Sequence, residues 1–295
     1  MGKDGFAQSF LIRRDGFHGH LFLPHRDKYP GLALLVLGGG GMPYSFTRKE
    51  ADAFSEEGIS SLAVGYFGVK DAPKTIVHVP IEYVEKAAAC LHAFGYTKVI
   101  AVGISKGSEL ALTAASFLPD IDGVIAFAPS CRVYMGIGSG ISWVDRSSWT
   151  FRGVPLSFAY HRSSGIKAVL HSLKARELTF RPVYEKADQD AEEGTIIPVE
   201  RIHGPLLLIA SSQDSLWASE NACRMIRQRL IARPFRYPVK TLIYPYASHI
   251  LLPFESGFER FFRVARKHPE ECRQTILDVR HEVFTWLRDL AIPDS

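Results

Sequence analysis

The sequence predicts an α/β fold, in which helices cover both faces of a mostly parallel central sheet. Short aliphatic runs alternate along the chain with segments of helical periodicity, a pattern typical of parallel strands joined by crossover helices. The chain has 295 residues, of which 46% are hydrophobic, so it is long enough to bury one large core. The sequence contains no internal repeat and no low-complexity linker, and we expect a single domain over residues 1–295.

The predicted elements follow in chain order. Residues 7–13 and 17–23 are two strands on either side of Asp15-Gly16, a dipeptide that favours a tight hairpin turn. The later strands are apolar runs at residues 32–37, 61–65, 98–102, 124–129, 206–211 and 240–244. Helices are predicted between and after them, at residues 47–57, 81–94, 106–117, 219–230 and 271–290.

Residues 131–199 do not continue this alternation. They combine glycines, serines, aromatic residues and both signs of charge, with only short periodic pieces. Long irregular segments in compact domains are often functional, and this one precedes the strand at residues 206–211. We therefore expect a lid or cap inserted over the active site; the alternative is an excursion that only covers the edge of the sheet.

Composition argues against several classes of protein. The formal charge of +4, from 35 basic and 31 acidic residues, includes no run of five or six basic residues, so a nucleic-acid partner is not expected. The four cysteines lie far apart without a C-x-x-C pair, which predicts a reducing compartment and neither a disulfide framework nor a metal site. No apolar run approaches the ~20 residues that span a bilayer.

The first residues contain no apolar signal region, and we expect a cytoplasmic protein without a bound cofactor. A small anionic molecule fits the mild positive charge. The sequence does not fix the oligomeric state and leaves a homo-oligomer open.

A G-x-S-x-G pentapeptide, Gly103-Ile104-Ser105-Lys106-Gly107, lies between a predicted strand and a predicted helix. In that setting the serine occupies a sharp strand-to-helix turn, which closes only when its neighbours are as small as glycine. This predicts Ser105 as a nucleophile. The alternative is a glycine-rich turn that contains a serine by chance.

The base and the acid are predicted from their positions after strands. His249 follows the last predicted strand, and Asp214 follows the strand at residues 206–211. The carboxyl ends of parallel strands meet at one edge of a sheet, where ligands bind, and the chain order Ser, Asp, His is that of the α/β-hydrolase fold. Asp214 is alternatively a helix N-cap, and Asp188 and Asp190 are competing acids in the insertion.

An oxyanion hole needs two backbone N–H donors. We expect one from Lys106, which follows the nucleophile, and the other from Gly40, Gly41 or Met42 in the glycine-rich loop after the strand at residues 32–37. Such a loop also occurs in dinucleotide-binding folds, but Met42 and Pro43 interrupt the G-x-G-x-x-G register.

From about residue 31 to residue 290, the chain resembles the C-terminal catalytic domain shared by acyl-CoA thioesterases and bile acid-CoA:amino acid N-acyltransferases. The resemblance implies an α/β-hydrolase fold with Ser105 as nucleophile, Asp214 as acid and His249 as base, acting on a fatty-acyl or bile-acyl thioester of coenzyme A. The segments that carry it are residues 38–41, Ala63-Val64-Gly65-Tyr66-Phe67 with Asp71-Ala72-Pro73, residues 80–85, residues 103–112 with Ala115-Ser116-Phe117, residues 197–201, Gln213-Asp214, Trp217, and Tyr244-Pro245 with His249 and Pro253.

The chain departs from the family pattern in three places. About 30 residues precede the first resembling strand, whereas eukaryotic members carry an N-terminal β-sandwich domain there. Gln213-Asp214-Ser215 has one acidic residue where relatives often have two, and Ala247-Ser248-His249 replaces the more usual Gly-His. We expect catalysis to survive both substitutions.

The resemblance implies hydrolysis more than transfer, because the amide-forming members use a cysteine nucleophile and Ser105 is a serine. Three alternatives stay open: an acyl-CoA:amino acid N-acyltransferase, a carboxylesterase similar to dienelactone hydrolase, and a catalytically silent binding module. Candidates for the coenzyme A phosphates are four basic residues of the insertion, each of which is alternatively a solvated surface group: Arg132, Arg146, Arg152 and Arg162.

Overall fold

The computed structural model describes residues 7–140, 142–162 and 165–291. Its strands are β1 (Gln8–Phe10), β2 (His18–Phe22), β3 (Leu32–Leu37), β4 (Ser60–Gly65), β5 (Val79–Pro80), β6 (Lys98–Ile104), β7 (Gly123–Phe127), β8 (Met135–Ile137), β9 (Trp143–Ser147), β10 (Trp149–Phe151), β11 (Val154–Pro155), β12 (Leu206–Ser211) and β13 (Val239–Tyr244). Its helices are α1 (Ile12–Asp15), α2 (Tyr44–Glu56), α3 (Glu82–Ala93), α4 (Lys106–Phe117), α5 (Gly165–Ala175), α6 (Arg181–Gln189), α7 (Ser219–Ala232), α8 (Arg263–Lys267) and α9 (Pro269–Ala291). Short 3₁₀ turns lie at Glu193–Thr195, Val199–Arg201 and Glu259–Phe261.

Eight strands form the central sheet, in the order β1-β2-β4-β3-β6-β7-β12-β13. Strand β2 is antiparallel to both of its neighbours, and every later pairing in the sheet is parallel. The strands from β3 onward therefore end at one edge of the sheet. The alternation of aliphatic runs and helices predicted this mostly parallel sheet correctly.

Hydrophobic cores lie on both faces of the sheet, because successive side chains of a strand point to opposite sides. On one face, Leu35 of β3 belongs to the same buried cluster as residues of α3, α4 and α7. On the other face, Leu34 belongs to a second cluster with residues of α2 and α9. All six residues of β3 are buried, which explains why this strand reads as a continuous aliphatic run.

The predicted hairpin turn at Asp15-Gly16 is wrong. β1 and β2 do pair in antiparallel fashion, with Gln8 opposite Leu21, but one helical turn, α1, joins them. The Asp15 carboxylate accepts a hydrogen bond from the Leu11 N–H at 2.7 Å, and Gly16 ends the turn with φ of 82°. A side chain that closes a turn on the backbone favours helical over extended geometry there.

Residues 131–199 lie between β7 and β12 and contain β8 to β11, α5 and α6. Their first part packs into the body of the protein, since β10 pairs in parallel with β5 and Trp149 is fully buried. Helix α5 is instead open to solvent: Ile166 is 75% exposed and Leu173 is 68% exposed. Within the described residues, no helix is both long enough and apolar enough to cross a membrane.

Candidate active site

Ser105 stands between the end of β6 and the start of α4. Its backbone has φ of 56° and ψ of −123°, a conformation that costs a residue other than glycine about 1–3 kcal/mol. Gly103 and Gly107 make the turn sterically feasible. A Cβ on Gly103 would lie 2.2 Å from the Gly107 carbonyl oxygen, and a Cβ on Gly107 would lie 2.1 Å from that of Leu37.

Hydrogen bonds hold the strained turn in place. The Ser105 N–H donates to the Phe127 carbonyl at 3.0 Å, and the Ser108 hydroxyl donates to the Ser105 carbonyl at 2.7 Å. The neighbouring strand β7 and the first turn of α4 thus fix the backbone on both sides of Ser105. The position of the serine is set by main-chain geometry.

Asp214 and His249 form a buried pair at the ends of β12 and β13. Nδ1 of His249 lies 2.9 Å from each carboxylate oxygen of Asp214, and both residues are 1% exposed. The carboxylate therefore fixes the imidazole ring and places a proton on Nδ1. Nε2 of His249 is buried and has no hydrogen-bond partner in the described part of the chain, so no other protein group engages this nitrogen.

The backbone around Asp214 holds that carboxylate in turn. Oδ1 of Asp214 accepts hydrogen bonds from the N–H groups of Leu216 at 2.9 Å and Trp217 at 3.2 Å. Ala218 occupies the N-cap position of α7, so Asp214 orders the preceding turn and does not cap that helix. The indole of Trp217 packs edge-on against the His249 ring, with ring centroids 5.7 Å apart.

The competing acids of the insertion have other partners. Asp188 accepts a hydrogen bond from the Tyr134 hydroxyl at 2.7 Å and lies 3.6 Å from Nε of Arg132. Asp190 lies 3.5 Å from Nδ1 of His161. The structure thus brings Asp214, and not these two residues, against His249.

The glycine loop after β3 touches the turn that contains Ser105. A Cβ on Gly39 would lie 3.5 Å from Cβ of Ser105, and one on Gly40 would lie 3.0 Å from Cγ of Lys106. The Met42 N–H closes a turn on the Gly39 carbonyl at 3.4 Å. Lys106 is the first residue of α4, and first-turn N–H groups of a helix lack an intrahelical acceptor.

The side chain of Lys106 forms a buried ion pair that the sequence analysis missed. Its Nζ lies 2.7 Å and 2.8 Å from the two carboxylate oxygens of Glu109. The same carboxylate accepts hydrogen bonds from the Tyr134 N–H at 3.1 Å and the Trp149 indole N–H at 2.8 Å. Burial lowers the pKa of Lys106, and the adjacent Glu109 carboxylate opposes that effect.

A second buried acid lies on α2. Both carboxylate oxygens of Glu50 are buried without a hydrogen-bond partner among the described residues, and burial raises its pKa to about 8. Burial raises the pKa of Tyr66, and the charges of Glu109 and Glu50 raise it further. The Tyr66 hydroxyl donates to the Gly38 carbonyl at 2.7 Å. Glu50 therefore lies within electrostatic range of the residue that anchors the glycine loop.

Ser105 and His249 line the same cavity, which has a volume of about 830 Å³. This volume is typical of small-molecule sites. Apart from the glycine loop, its walls are mostly apolar residues, many of them from α5, from the segment before α6 and from the region before α8. They include Leu173, Phe180, Ile250, Phe258, Phe261 and Phe262.

The basic residues at the cavity are not the four named from the sequence. Arg132 bonds to Thr195 and the Glu192 carbonyl, Arg152 pairs with Glu85, and none of the four lines the cavity. Three other residues do so: Arg176, Arg260 and Arg266. Sequence reasoning missed them because two of them follow the insertion and none lies in a recognisable motif.

Another groove, of about 770 Å³, lies where residues 115–119, 200–203 and 234–237 meet. These segments precede β7, β12 and β13, so the groove is at the opposite edge of the sheet from Ser105. Among the described residues, no group of three or more His, Cys, Asp or Glu side chains is arranged to hold a metal ion.

A family model described as "BAAT / Acyl-CoA thioester hydrolase C terminal" matches residues 79–254, which is more than half of the chain. The chain is 28% identical over 251 residues to acyl-coenzyme A thioesterase 1 of Rattus norvegicus, which covers 82% of this chain and 54% of that protein. It is 24% identical over 253 residues to the peroxisomal succinyl-coenzyme A thioesterase of Mus musculus, with the same two coverages. The chain thus spans about half the length of these curated relatives.

Solved structures with much lower identity share the fold. A dienelactone hydrolase of Klebsiella pneumoniae described as putative aligns with a TM-score of 0.53 and 13% identity over 92% of each chain. The α/β-hydrolase MGS-M1 from a Medee basin deep-sea metagenome aligns with a TM-score of 0.55 and 13% identity, over 98% of this chain and 99% of that one. The fold is therefore that of the α/β-hydrolases, as the order of Ser105, Asp214 and His249 predicted.

Proposed function

We propose that this chain, which belongs to the BAAT / acyl-CoA thioester hydrolase C-terminal family, hydrolyses acyl-CoA thioesters to a free acid and coenzyme A. One observation carries the proposal: Ser105 and His249 line a single cavity whose walls are mostly apolar. An acyl chain in that cavity would place its carbonyl carbon beside the serine.

The first step is acylation of Ser105. Nε2 of His249 takes the hydroxyl proton while the Ser105 oxygen attacks the thioester carbonyl. Asp214 keeps the other ring nitrogen protonated, through contacts of 2.9 Å, and stabilises the imidazolium that forms. The proton then passes to the departing sulfur, which needs little acid assistance because a free thiol has a pKa near ~8.5.

Negative charge develops on the carbonyl oxygen during attack, and two backbone donors stabilise it. The Lys106 N–H at the start of α4 is one donor. Gly40 or Gly41 supplies the other, since the Met42 N–H is engaged in a turn with Gly39. The amino end of α4 adds a favourable dipole at the same point.

The second step is hydrolysis of the acyl-serine. Water attacks the ester carbonyl, and His249 removes its proton and returns a proton to Ser105. An oxygen ester reacts with amines much less readily than a thioester does, so an acyl-serine is a poorer acyl donor to an amine than an acyl-cysteine is. This favours hydrolysis over N-acyl transfer for a chain with serine at residue 105.

We also propose that the chain is one catalytic domain in which residues 131–199 serve as a lid. Val169 and Leu173 of α5 line the cavity from that segment, which supports a role in covering substrate.

The proposed location of the protein is the cytoplasm. All four cysteines are free thiols, which is consistent with that reducing compartment. Fractionation of cells that express the full-length protein would test this location.

Replacement of the nucleophile tests the function. Ser105→Ala should lower thiol release from palmitoyl-CoA by at least ~10⁴-fold and abolish labelling by a fluorophosphonate. Ser116→Ala is the matched control, because Ser116 lies on the same helix as Lys106 but lines the groove at the opposite edge of the sheet, and it should retain both signals. Full activity of Ser105→Ala would refute the assignment, and a strong preference of the wild type for p-nitrophenyl palmitate would favour an esterase.

A further inference from the structure

One side chain joins two segments at the cavity rim. The guanidinium of Arg266 donates hydrogen bonds to the Arg260 carbonyl at 3.0 Å and to the Arg176 carbonyl. Two of its N–H donors are therefore engaged with the backbone. Residues 176 and 260, which lie far apart in sequence, are held close together, and both line the cavity that contains Ser105.

The charge of the cavity wall is predominantly positive. Glu177 is the acidic residue among the described lining residues, and its carboxylate accepts a hydrogen bond from the Arg263 N–H at 2.7 Å. The guanidinium of Arg260 lies over the exposed ring of Phe261, 5.3 Å from its centroid. Arg176 and Arg260 are both exposed, so a ligand reaches them without displacing a buried partner.

We infer that Arg176 and Arg260 form a binding site for the phosphate groups of the substrate's coenzyme A moiety, at the mouth of the cavity. Guanidinium groups bind phosphate oxygens in bidentate fashion. The exposed cations and the apolar interior match the two ends of an acyl-CoA, which is anionic at one end and apolar at the other. This inference rests on the proposed thioesterase function and assigns the leaving-group half of the site.

A comparison of two thioesters tests the site. Acyl-CoA and the acyl thioester of pantetheine carry the same reacting group and chain, but only the first has phosphates. Arg176→Gln and Arg260→Gln should each raise KM for palmitoyl-CoA roughly tenfold, with kcat unchanged and with no effect on palmitoyl-pantetheine. Arg146→Gln removes an exposed charge that does not line the cavity and should change neither.

Two results would overturn the inference: equal losses on both thioesters, or no loss on palmitoyl-CoA. Added salt gives a second readout, because it screens exposed charges; KM for palmitoyl-CoA should rise with salt more in the wild type than in Arg260→Gln.

A direct measurement of coenzyme A binding separates failure of the proposed hydrolytic function from failure of the phosphate site. Calorimetric titration of coenzyme A into Ser105→Ala needs no turnover, and adding Arg260→Gln should weaken the affinity by roughly tenfold. If the wild type cleaves neither thioester but this loss of affinity is observed, the phosphate site stands and the hydrolytic assignment falls. If coenzyme A does not bind to Ser105→Ala, or binds equally well after the second substitution, the phosphate site is refuted.

Discussion

Glu50 is an ionisable residue in a buried environment that favours the neutral form of its carboxyl group. It is 7% exposed, and neither carboxylate oxygen has a hydrogen-bond partner among the described residues. Its pKa of about 8 follows from burial alone, since desolvation penalises the ionised form. At neutral pH, Glu50 is therefore protonated in the folded protein and ionised in the unfolded chain.

This difference predicts a pH dependence of stability. The acid's folded pKa of about 8 exceeds its ordinary 4.5, so the folded state binds more protons and unfolding becomes easier as pH rises through that window. The free energy of unfolding falls by up to about 1.4 kcal/mol per pH unit, and it stops falling above the folded pKa. Glu50→Gln should remove it, and its free energy of unfolding, relative to wild type, should rise from pH 5 to pH 8 in urea titrations.

Glu56→Gln is the control on the same helix, because Glu56 has no comparable burial. The difference in the free energy of unfolding between Glu56→Gln and wild type should be independent of pH. A flat difference for Glu50→Gln as well would show that the Glu50 carboxyl is hydrated or paired in solution.

The sequence predicted the positions of some site residues and not the contacts of others. Ser105, Asp214 and His249 each follow a strand and occur in the expected chain order, so position along the chain was enough to group them. Lys106 was predicted only for its N–H, because no sequence pattern indicates that its ammonium group is buried against Glu109. Arg260 was missed for a related reason: the fold of residues 254–262, and not their composition, brings it to the cavity.

At the scale of elements, Glu109 joins two parts of the molecule. It lies on α4, directly after the turn that contains Ser105, and accepts hydrogen bonds from Tyr134 and Trp149 of the 131–199 segment. Lys106 lies over the Trp149 ring as well, 5.2 Å from its centroid. The insertion is thus fastened to the helix that carries one of the proposed oxyanion donors.

Removal of one partner of this ion pair should be costly. Lys106→Met or Glu109→Gln should each lower the free energy of unfolding by about 3–5 kcal/mol, because the remaining group loses its buried counter-charge. The double variant should lose less than the sum of the two, with a coupling energy of at least ~1 kcal/mol. Urea unfolding of the four proteins measures this cycle.

A more exposed ion pair on another helix provides the comparison. Arg224 and Glu220 of α7 lie 3.5 Å apart, and Arg224 is 59% exposed. Their cycle should give at most about 0.5 kcal/mol. Additive losses for Lys106 and Glu109 would mean that burial does not strengthen their interaction.

Periodicity identified most elements of the sheet and its helices, but local side-chain chemistry changed some of them. The run at residues 206–211 was predicted with the bounds of β12, and residues 106–117 with those of α4. Residues 11–13 were predicted as strand, yet the hydrogen bond from the Leu11 N–H to Asp15 begins a helical turn there. A carboxylate that folds back on its own backbone is not visible in a hydrophobic pattern.

At the scale of the whole molecule, the parallel sheet assembles the site. Strands β3, β6, β12 and β13 end at one edge, and each is followed by a segment that supplies part of the site. The sheet alone leaves that edge open. Helix α5 and the region before α8 build the outer wall of the cavity. Several of their apolar residues are exposed, and a bound acyl chain would cover them.

This architecture predicts that acyl-chain preference depends on α5. Each buried methylene contributes about 0.8 kcal/mol, so kcat/KM should rise with chain length while the chain lies against the cavity wall. Leu173 lines the cavity, and Leu173→Asn should flatten that rise across C8 to C16 acyl-CoAs. Ile166, on the same helix and 75% exposed, does not line it; Ile166→Asn should keep the wild-type slope. Equal slopes for the two variants would place the acyl chain away from α5.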